Sequence, residues 1–229
     1  MVDLETEKLL TFFSNKFLYV HLTWIEQMLQ KHIFSNNEQL EQQIMYLFLN
    51  SDIKTTLTSK SCLPENVLDL HNHILPGPYC LQVIQVQDIG MSILKQLEYL
   101  EQFDDSGCVK SLDSIKDDDS IEDGDLIDDN KKSTTTKKMI KLMLEDASGL
   151  CIWAIEYKSI EDISLKMNLG SKILLKNVLV LRGVLILDPL NFSFLGGHVF
   201  ELNQNYFPRG LSYQLRYELN KNSKNMENT

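Results

Sequence analysis

Three residues have the types and the spacing of metal ligands. Asp69, His71 and His73 alternate along the chain, so that in an extended strand their side chains would share one face and could bind a transition metal. Two imidazoles and one carboxylate do not complete a site, and no partner pair of ligands occurs elsewhere in the sequence. We therefore expect an ordinary surface segment here, without a bound metal.

A second candidate site is a calcium loop in the acidic middle of the chain. Asp119, Asp123 and Gly124 match positions 1, 5 and 6 of an EF-hand loop. Position 3 is Ile121, however, and position 12, which should supply two carboxylate oxygens, is Asn130. The sequence therefore does not predict tight calcium binding.

No pattern in the chain is typical of a catalytic site. The sequence has no glycine-rich phosphate loop and no nucleophile elbow. Gly196 and Gly197 lack a Walker lysine and dinucleotide-binding spacing, so we expect a turn there. We predict that the protein is not an enzyme and needs no cofactor.

The cysteines and the apolar stretches place the chain among reduced, intracellular proteins. The four cysteines are Cys62, Cys80, Cys108 and Cys151. They lie far apart and form no C-x-x-C pair, which argues against a zinc site and against a disulfide framework. The longest apolar stretch, residues 173–190, is interrupted by charged residues. We therefore expect no membrane span.

Negative charge is concentrated in one segment. The net charge is −10. Residues 103–130 contain eleven Asp or Glu and two Lys, a local sum of −9, so the remainder carries about −1. This composition is typical of a solvated, disordered spacer. The alternative is a loop that docks on a partner, because apolar residues are interspersed among the acids. These residues are Leu112, Ile115, Ile121, Leu126 and Ile127.

The periodicity of apolar residues changes near residue 78. Residues 4–50 repeat apolar side chains with the helical period, for example at Trp24, Ile25, Met28 and Leu29. Beyond the turn at Gly77 the pattern alternates, as in strands. Five strands are predicted, at residues 79–90, 139–145, 150–157, 171–181 and 184–187. A short helix is predicted near residues 160–165, between the third and fourth strands. That order of elements is typical of an OB-fold barrel.

We therefore predict an α+β protein with three parts. Residues 1–76 form an N-terminal three-helix bundle, residues 77–200 a five-stranded OB-fold domain, and residues 201–229 a C-terminal helix or tail. A long acidic insertion, about residues 103–138, follows the first strand of the barrel.

An ordered series of motifs resembles the RecQ-mediated genome instability protein family. The motifs occupy residues 139–146 (MIKLMLED), 155–157 (IEY), 169–176 (LGSKILLK), 182–189 (RGVLILDP) and 194–197 (FLGG). The resemblance also includes the helical region around Trp24 and the first strand, so that it covers most of the chain.

The resemblance implies a non-catalytic scaffold that joins topoisomerase III to a RecQ-family helicase. Such a scaffold stimulates decatenation and dissolves double Holliday junctions without crossover, in the nucleus. The resemblance also implies that the insertion reaches the gate of the topoisomerase, which favours the docking alternative for this segment. Its anchors would be Leu112, Ile115, Leu126 and Ile127. Longer relatives recruit a further small OB subunit through a second OB domain, which we do not expect here.

Direct binding of single-stranded or branched DNA is the alternative function. OB folds hold single strands by stacking bases on aromatic rings in a basic groove. Trp153 and Tyr157 are the candidate stacking residues, although Trp153 is in phase with Cys151 and Ile155 and could belong to the core. The candidate phosphate contacts are Lys131, Lys132, Lys137, Lys138 and Arg182. The acidic segment beside the lysines would repel phosphate, so we expect weak, auxiliary DNA binding.

Overall fold

The computed structural model describes residues 2–31, 37–106, 139–204, 206 and 210–227. Its helices are α1 (Val2–Asn15), α2 (Leu22–Lys31), α3 (Asn37–Leu49), α4 (Ile53–Thr56), α5 (Ile93–Ser106), α6 (Phe200–Asn203) and α7 (Leu211–Glu227), with 3-10 turns at Ser59–Ser61 and Val67–Asp69. Its strands are β1 (His73–Leu75), β2 (Tyr79–Asp88), β3 (Ile140–Glu145), β4 (Cys151–Glu156), β5 (Lys172–Leu175), β6 (Val178–Leu181), β7 (Val184–Leu187) and β8 (Phe192–Gly196).

The strands form one curled, eight-stranded sheet in the order β1-β6-β7-β4-β3-β2-β5-β8. The long strand β2 pairs antiparallel with both β3 and β5, and its register with β3 shifts between Val83 and Gln85. Such a shift is typical of a β-bulge, which bends a strand and lets one strand serve two parts of a curved sheet. β4 and β7 pair in parallel, and the other strand pairs are antiparallel.

The predicted count of five strands was wrong. The predicted fourth strand, residues 171–181, is divided into β5 and β6 at Lys176 and Asn177, and Asn177 has a positive φ of 53°. The left-handed backbone at Asn177 interrupts the pleat, so that β5 pairs with β2 while β6 pairs with β7. Two further strands, β1 and β8, were not predicted, because each is short and neither has a clear alternation. Residues 160–165 form turns and not the predicted helix.

The N-terminal helices share their apolar core with the barrel. Phe13, Trp24 and Phe48 make edge-to-face ring contacts, with centroids 5.6–6.5 Å apart. Cys80 of β2 belongs to the same buried cluster, and Leu174 of β5 packs against it. The helices are present where the sequence predicts helical periodicity, but the structure does not confirm a separate bundle, because this cluster is continuous with the sheet.

The chain divides into two compact units. The first comprises residues 1–88 and 139–204, and so contains α1 to α4, the whole sheet and α6. The second comprises residues 89–138 and 205–229, within which α5 and α7 contact each other. The predicted boundaries at residues 76 and 200 stay predictions. No helix among the described residues is long and apolar enough to span a bilayer.

Candidate functional site

The acidic insertion lies between β2 and β3, because β2 ends at Asp88 and β3 begins at Ile140. The first part of the intervening chain is α5. The four predicted anchors, Leu112, Ile115, Leu126 and Ile127, lie outside the described residues, as do four of the predicted DNA contacts: Lys131, Lys132, Lys137 and Lys138. Their assignment therefore stays a prediction.

Arg182 occupies the tight turn between β6 and β7. It is exposed and has a positive φ of 51°, a conformation that costs a bulky L-residue about 1–2 kcal/mol. Gly183 follows with φ of 70° and donates its amide to the carbonyl of Leu70. Arg182 makes no hydrogen bond or ion pair within the part of the chain that the structure describes. The turn thus presents an uncompensated cation at one end of the sheet.

Trp153 faces outward from the barrel and not into its core. Along β4 the buried side chains are Ile152, Ala154 and Glu156, while Trp153 is half-buried with the alternate set. Trp153 shares a face of β4 with Cys151, as predicted, but this is the outer face of the sheet. The alternative that Trp153 belongs to the core was therefore wrong. The ammonium of Lys141 lies 3.7 Å from the centre of the Trp153 ring, which is a cation–π contact.

An apolar strip surrounds Trp153 on the outer side of the sheet. Trp153 pairs with Met143 of β3 and with Val184 of β7. Ile155 pairs with Ile186 of β7 in the same way. All of these side chains are half-buried. An outer face with several adjacent apolar pairs and a tryptophan is typical of a surface that binds another molecule.

The candidate metal ligands do not form a site. Asp69 lies in a 3-10 turn, His73 begins β1, and both are exposed, as is His71 between them. Across residues 2–31, 37–106 and 139–227, as far as these are described, no group of three His, Cys, Asp or Glu side chains is placed to hold a metal ion.

The buried carboxylate of Asp146 organises the turn between β3 and β4. One oxygen accepts hydrogen bonds from the amide and the hydroxyl of Ser148 and from the amide of Leu150, at 2.6–3.0 Å. The other accepts from the amide of Leu63 at 3.0 Å. Asp146 therefore fixes the hairpin and ties the segment before β1 to it. Four donors saturate the carboxylate, so it has a structural role.

Glu156 has a comparable role at the end of β4. Its carboxylate accepts the backbone amide of Ile160 at 2.7 Å and that of Ile140 at 3.4 Å. Near the opposite end of β3, Glu145 accepts a hydrogen bond of 3.0 Å from the ammonium of Lys54 in α4. This hydrogen bond is the main cause of the raised pKa of Lys54, and burial opposes it.

Lys172 is the structural group that the sequence did not reveal. Its ammonium donates to the carbonyl oxygens of Leu49, the last residue of α3, of Ser51, two residues beyond it, and of Gly170. A cation at a helix C-terminus is favourable, because the last carbonyls lack partners within the helix. Burial lowers the pKa of Lys172 to about 8. Alternation gave no signal for its burial, because Lys172 is in phase with Leu174 and Lys176; this is the face of β5 on which Leu174 packs against the cluster of the N-terminal helices.

Comparison with known proteins identifies the family. The family model described as "RMI1, N-terminal OB-fold domain" matches residues 63–209. The RecQ-mediated genome instability protein 1 of Schizosaccharomyces pombe is 35% identical over 227 residues, with 86% of this chain and 90% of the relative aligned. The proteins of the same name from Mus musculus and Xenopus laevis are 25% and 26% identical over 80% and 73% of this chain.

The chain spans nearly the whole of the fission yeast relative but only 27% and 28% of the two vertebrate relatives. The family match begins before β1 and ends beyond α6, so it contains the whole sheet and the insertion within it. On both grounds, the chain belongs to the RecQ-mediated genome instability protein 1 family.

Proposed function

We propose that this chain is a non-catalytic scaffold that joins topoisomerase III to a RecQ-family helicase and acts in the nucleus. In this role it stimulates decatenation and the dissolution of double Holliday junctions, and so maintains genome stability. The observation that carries the proposal is the family match, which includes the complete barrel and the insertion between β2 and β3. The relatives' printed name places them in a RecQ-mediated process.

The roles of the buried charges support a scaffold. Asp146 and Glu156 accept backbone amides, and Lys172 donates to three backbone carbonyls. Groups held in this way by the main chain are committed to the fold and are not available to transfer protons to a substrate. In this proposal the strand-passage chemistry therefore belongs to topoisomerase III.

Co-purification with topoisomerase III tests the proposal. The full chain is compared with a variant whose residues 104–130 are replaced by a short Gly/Ser linker. We expect both to bind, because the barrel docks, and only the full chain to stimulate decatenation, because the insertion acts on the gate. A matched control keeps the length and the acids but replaces the four anchors by serine: Leu112, Ile115, Leu126 and Ile127. Failure of both proteins to bind would contradict the proposal.

Direct binding of single-stranded DNA is the second candidate function. It is favoured by Trp153, which is half-buried on the outer face of an OB barrel with Lys141 beside its ring. Arg182 lies in the turn that leads into β7, and β7 pairs with Trp153 at Val184. An aromatic ring and cations at one end of the sheet are the elements that hold a base and its phosphate.

Fluorescence anisotropy with labelled oligothymidine tests this second function. The protein should be the linker variant, which lacks the repelling acids of residues 104–130. Binding that falls steeply with added salt and is lost in Trp153→Ala would support DNA binding. Binding that is unchanged in Trp153→Ala would contradict this site. If neither the linker variant nor its Trp153→Ala form binds oligothymidine, the scaffold remains the proposed function of the barrel.

A further inference from the structure

Three backbone carbonyl oxygens converge on one buried point between α3 and β5. They belong to Leu49, the last residue of α3, to Ser51, and to Gly170 in the segment that leads into β5. The ammonium nitrogen of Lys172 lies 2.5–3.0 Å from these three oxygens, and its side chain is fully buried. Neutral carbonyl oxygens that surround a buried positive charge are the ligands of a monovalent-cation site.

The carbonyl dipoles compensate for the positive charge at this point. Within the parts of the chain that the structure describes, Lys172 forms no ion pair. Leu49 ends α3, whose last carbonyls lack partners in the helix and form the negative end of its dipole. The charge of Asp52 also favours a cation here, although burial lowers the pKa of Lys172 to about 8. At pH 7 the amine is therefore still about nine-tenths protonated, so the point holds a cation.

The carbonyls are held in place by contacts that do not involve the lysine. Gly170 has a φ of 86°, and a Cβ there would collide with the amide nitrogen of Val199, so the two backbones are in direct contact. The carbonyl oxygen of Leu49 packs in the same way against Gly197. The hydroxyl of Ser51 donates to a carbonyl in the last turn of α3 at 2.7 Å. We therefore expect the three oxygens to keep their positions when the lysine side chain is removed.

We propose that these three carbonyls form a binding site for a monovalent cation, which this chain fills with the tethered ammonium of Lys172. The bound charge joins the end of α3 to the start of β5 and so holds the N-terminal helices on the barrel. The distances of 2.5–3.0 Å suit potassium and ammonium ions and exceed the ~2.0–2.1 Å that Mg²⁺ requires. Because the packed backbone cannot contract, we expect the site to prefer K⁺ to the smaller Na⁺.

Removal of the lysine side chain and replacement of its charge from solution test the inference. Lys172→Ala leaves a space that an ion can enter, whereas Lys172→Met fills the same space with an apolar chain. Each full-length variant is unfolded with urea in chloride salts of K⁺, Na⁺ and N-methylglucamine at equal ionic strength. Relative to N-methylglucamine, we expect K⁺ to lower the unfolding equilibrium constant of Lys172→Ala about tenfold, because the ion binds the folded state alone. We expect no such difference in Lys172→Met.

A series of ammonium ions tests the shape of the site. Ethylammonium resembles the part of the side chain that Lys172→Ala lacks, and its N–H groups can donate to the three carbonyls. Tetramethylammonium has the same charge but no N–H donor, and it is too bulky for the space. We expect ammonium and ethylammonium to stabilise Lys172→Ala at pH 7, and tetramethylammonium to have no such effect. Lys176→Ala is the matched control, because Lys176 is exposed directly after β5, and it should respond to none of these ions.

The unsubstituted chain provides an independent measurement. Its Lys172 ammonium protons should exchange with water slowly enough to give an NMR signal at pH 7, identified by its loss in Lys172→Met, because three acceptors hold them in a buried site. Absence of that signal would overturn the inference. So would a Lys172→Ala chain that responds equally to the three chloride salts or stays unfolded in all of them. The scaffold function would stand in each case, because no partner takes part in this site.

Discussion

The ammonium of Lys172 gives a prediction that can be worked through from its surroundings. Lys172 is fully buried, and burial lowers its pKa to about 8 from an ordinary value of 10.5. In the unfolded chain the same ammonium keeps its proton up to about pH 10.5. Between these two values the unfolded state binds more protons than the folded state, so that the free energy of unfolding must rise with pH.

The size of this rise follows from the two pKa values. At pH 9 the folded amine is about nine-tenths deprotonated while the unfolded one is still protonated, which adds about 1.4 kcal/mol to the free energy of unfolding relative to pH 7. Cys80 acts in the opposite direction, because burial raises the pKa of its thiol to about 12. Its unfolded thiol is half-ionised at pH 9 and removes about 0.4 kcal/mol. Together these two groups add about 1 kcal/mol between pH 7 and pH 9. Burial also raises the pKa of the Cys62 and Cys151 thiols, which act in the same direction as Cys80 and reduce this gain.

Urea denaturation at pH 7, 8 and 9, followed by circular dichroism, measures this gain. Lys172→Met removes the titrating group. Lys176→Met is the matched control, because Lys176 is exposed and directly follows the last residue of β5. We expect the free energy of unfolding to rise with pH in the unsubstituted chain and in Lys176→Met. In Lys172→Met we expect it to fall, since burial also raises the pKa of the Cys62, Cys80 and Cys151 thiols and these contributions remain.

The reasoning is refuted if the unsubstituted chain and Lys172→Met show parallel pH profiles. That result would mean that the three carbonyl acceptors of Leu49, Ser51 and Gly170 stabilise the ammonium enough to compensate for its burial. Repeating the series in a Cys80→Ala background removes the opposing contribution of the fully buried thiol.

Three further substitutions have expected results. Asp146→Ala should lower the free energy of unfolding by about 2–4 kcal/mol in urea, because one buried and three part-buried donors lose their acceptor. A loss below about 1 kcal/mol would contradict its structural role. Lys54→Met should lower the free energy of unfolding by less than about 1 kcal/mol, since the Lys54 side chain that pairs with Glu145 is 45% exposed. A larger loss in urea would show that this ion pair anchors α4. Arg182→Gly should raise the melting temperature, because it relieves about 1–2 kcal/mol of left-handed strain, of which the greater freedom of glycine in the unfolded chain offsets roughly half. It should also weaken any binding of oligothymidine, and an unchanged affinity would exclude Arg182 from DNA contact.

Much of the fold was predictable because the barrel strands have a clear period. In β3 and β4 the buried side chains alternate with half-buried ones, as at Leu142 and Leu144, and this alternation is the signal that sequence analysis reads. The division of the fourth strand was not predictable in the same way. It depends on a single residue, Asn177, whose left-handed backbone is compatible with its type but is not required by it.

The candidate site was less accessible to sequence reasoning. The sequence shows that Trp153 shares one face of β4 with Cys151 and Ile155. It does not show which face of the strand is buried, because that depends on what packs against each side of the sheet. Lys172 required the end of α3 to lie beside β5, a contact between positions more than 120 residues apart in the chain.

The same lysine limits how this protein can be cut into pieces. The family match begins at residue 63, which suggests a barrel fragment as a convenient truncation. Such a fragment would lack Leu49 and Ser51, and of the acceptors that the structure describes it would leave the ammonium of Lys172 with Gly170 alone. It would also lose the amide of Ile53 that Gln82 of β2 accepts, and uncover Cys80. The N-terminal helices can therefore be neither removed nor exchanged without redesigning the strands beneath them.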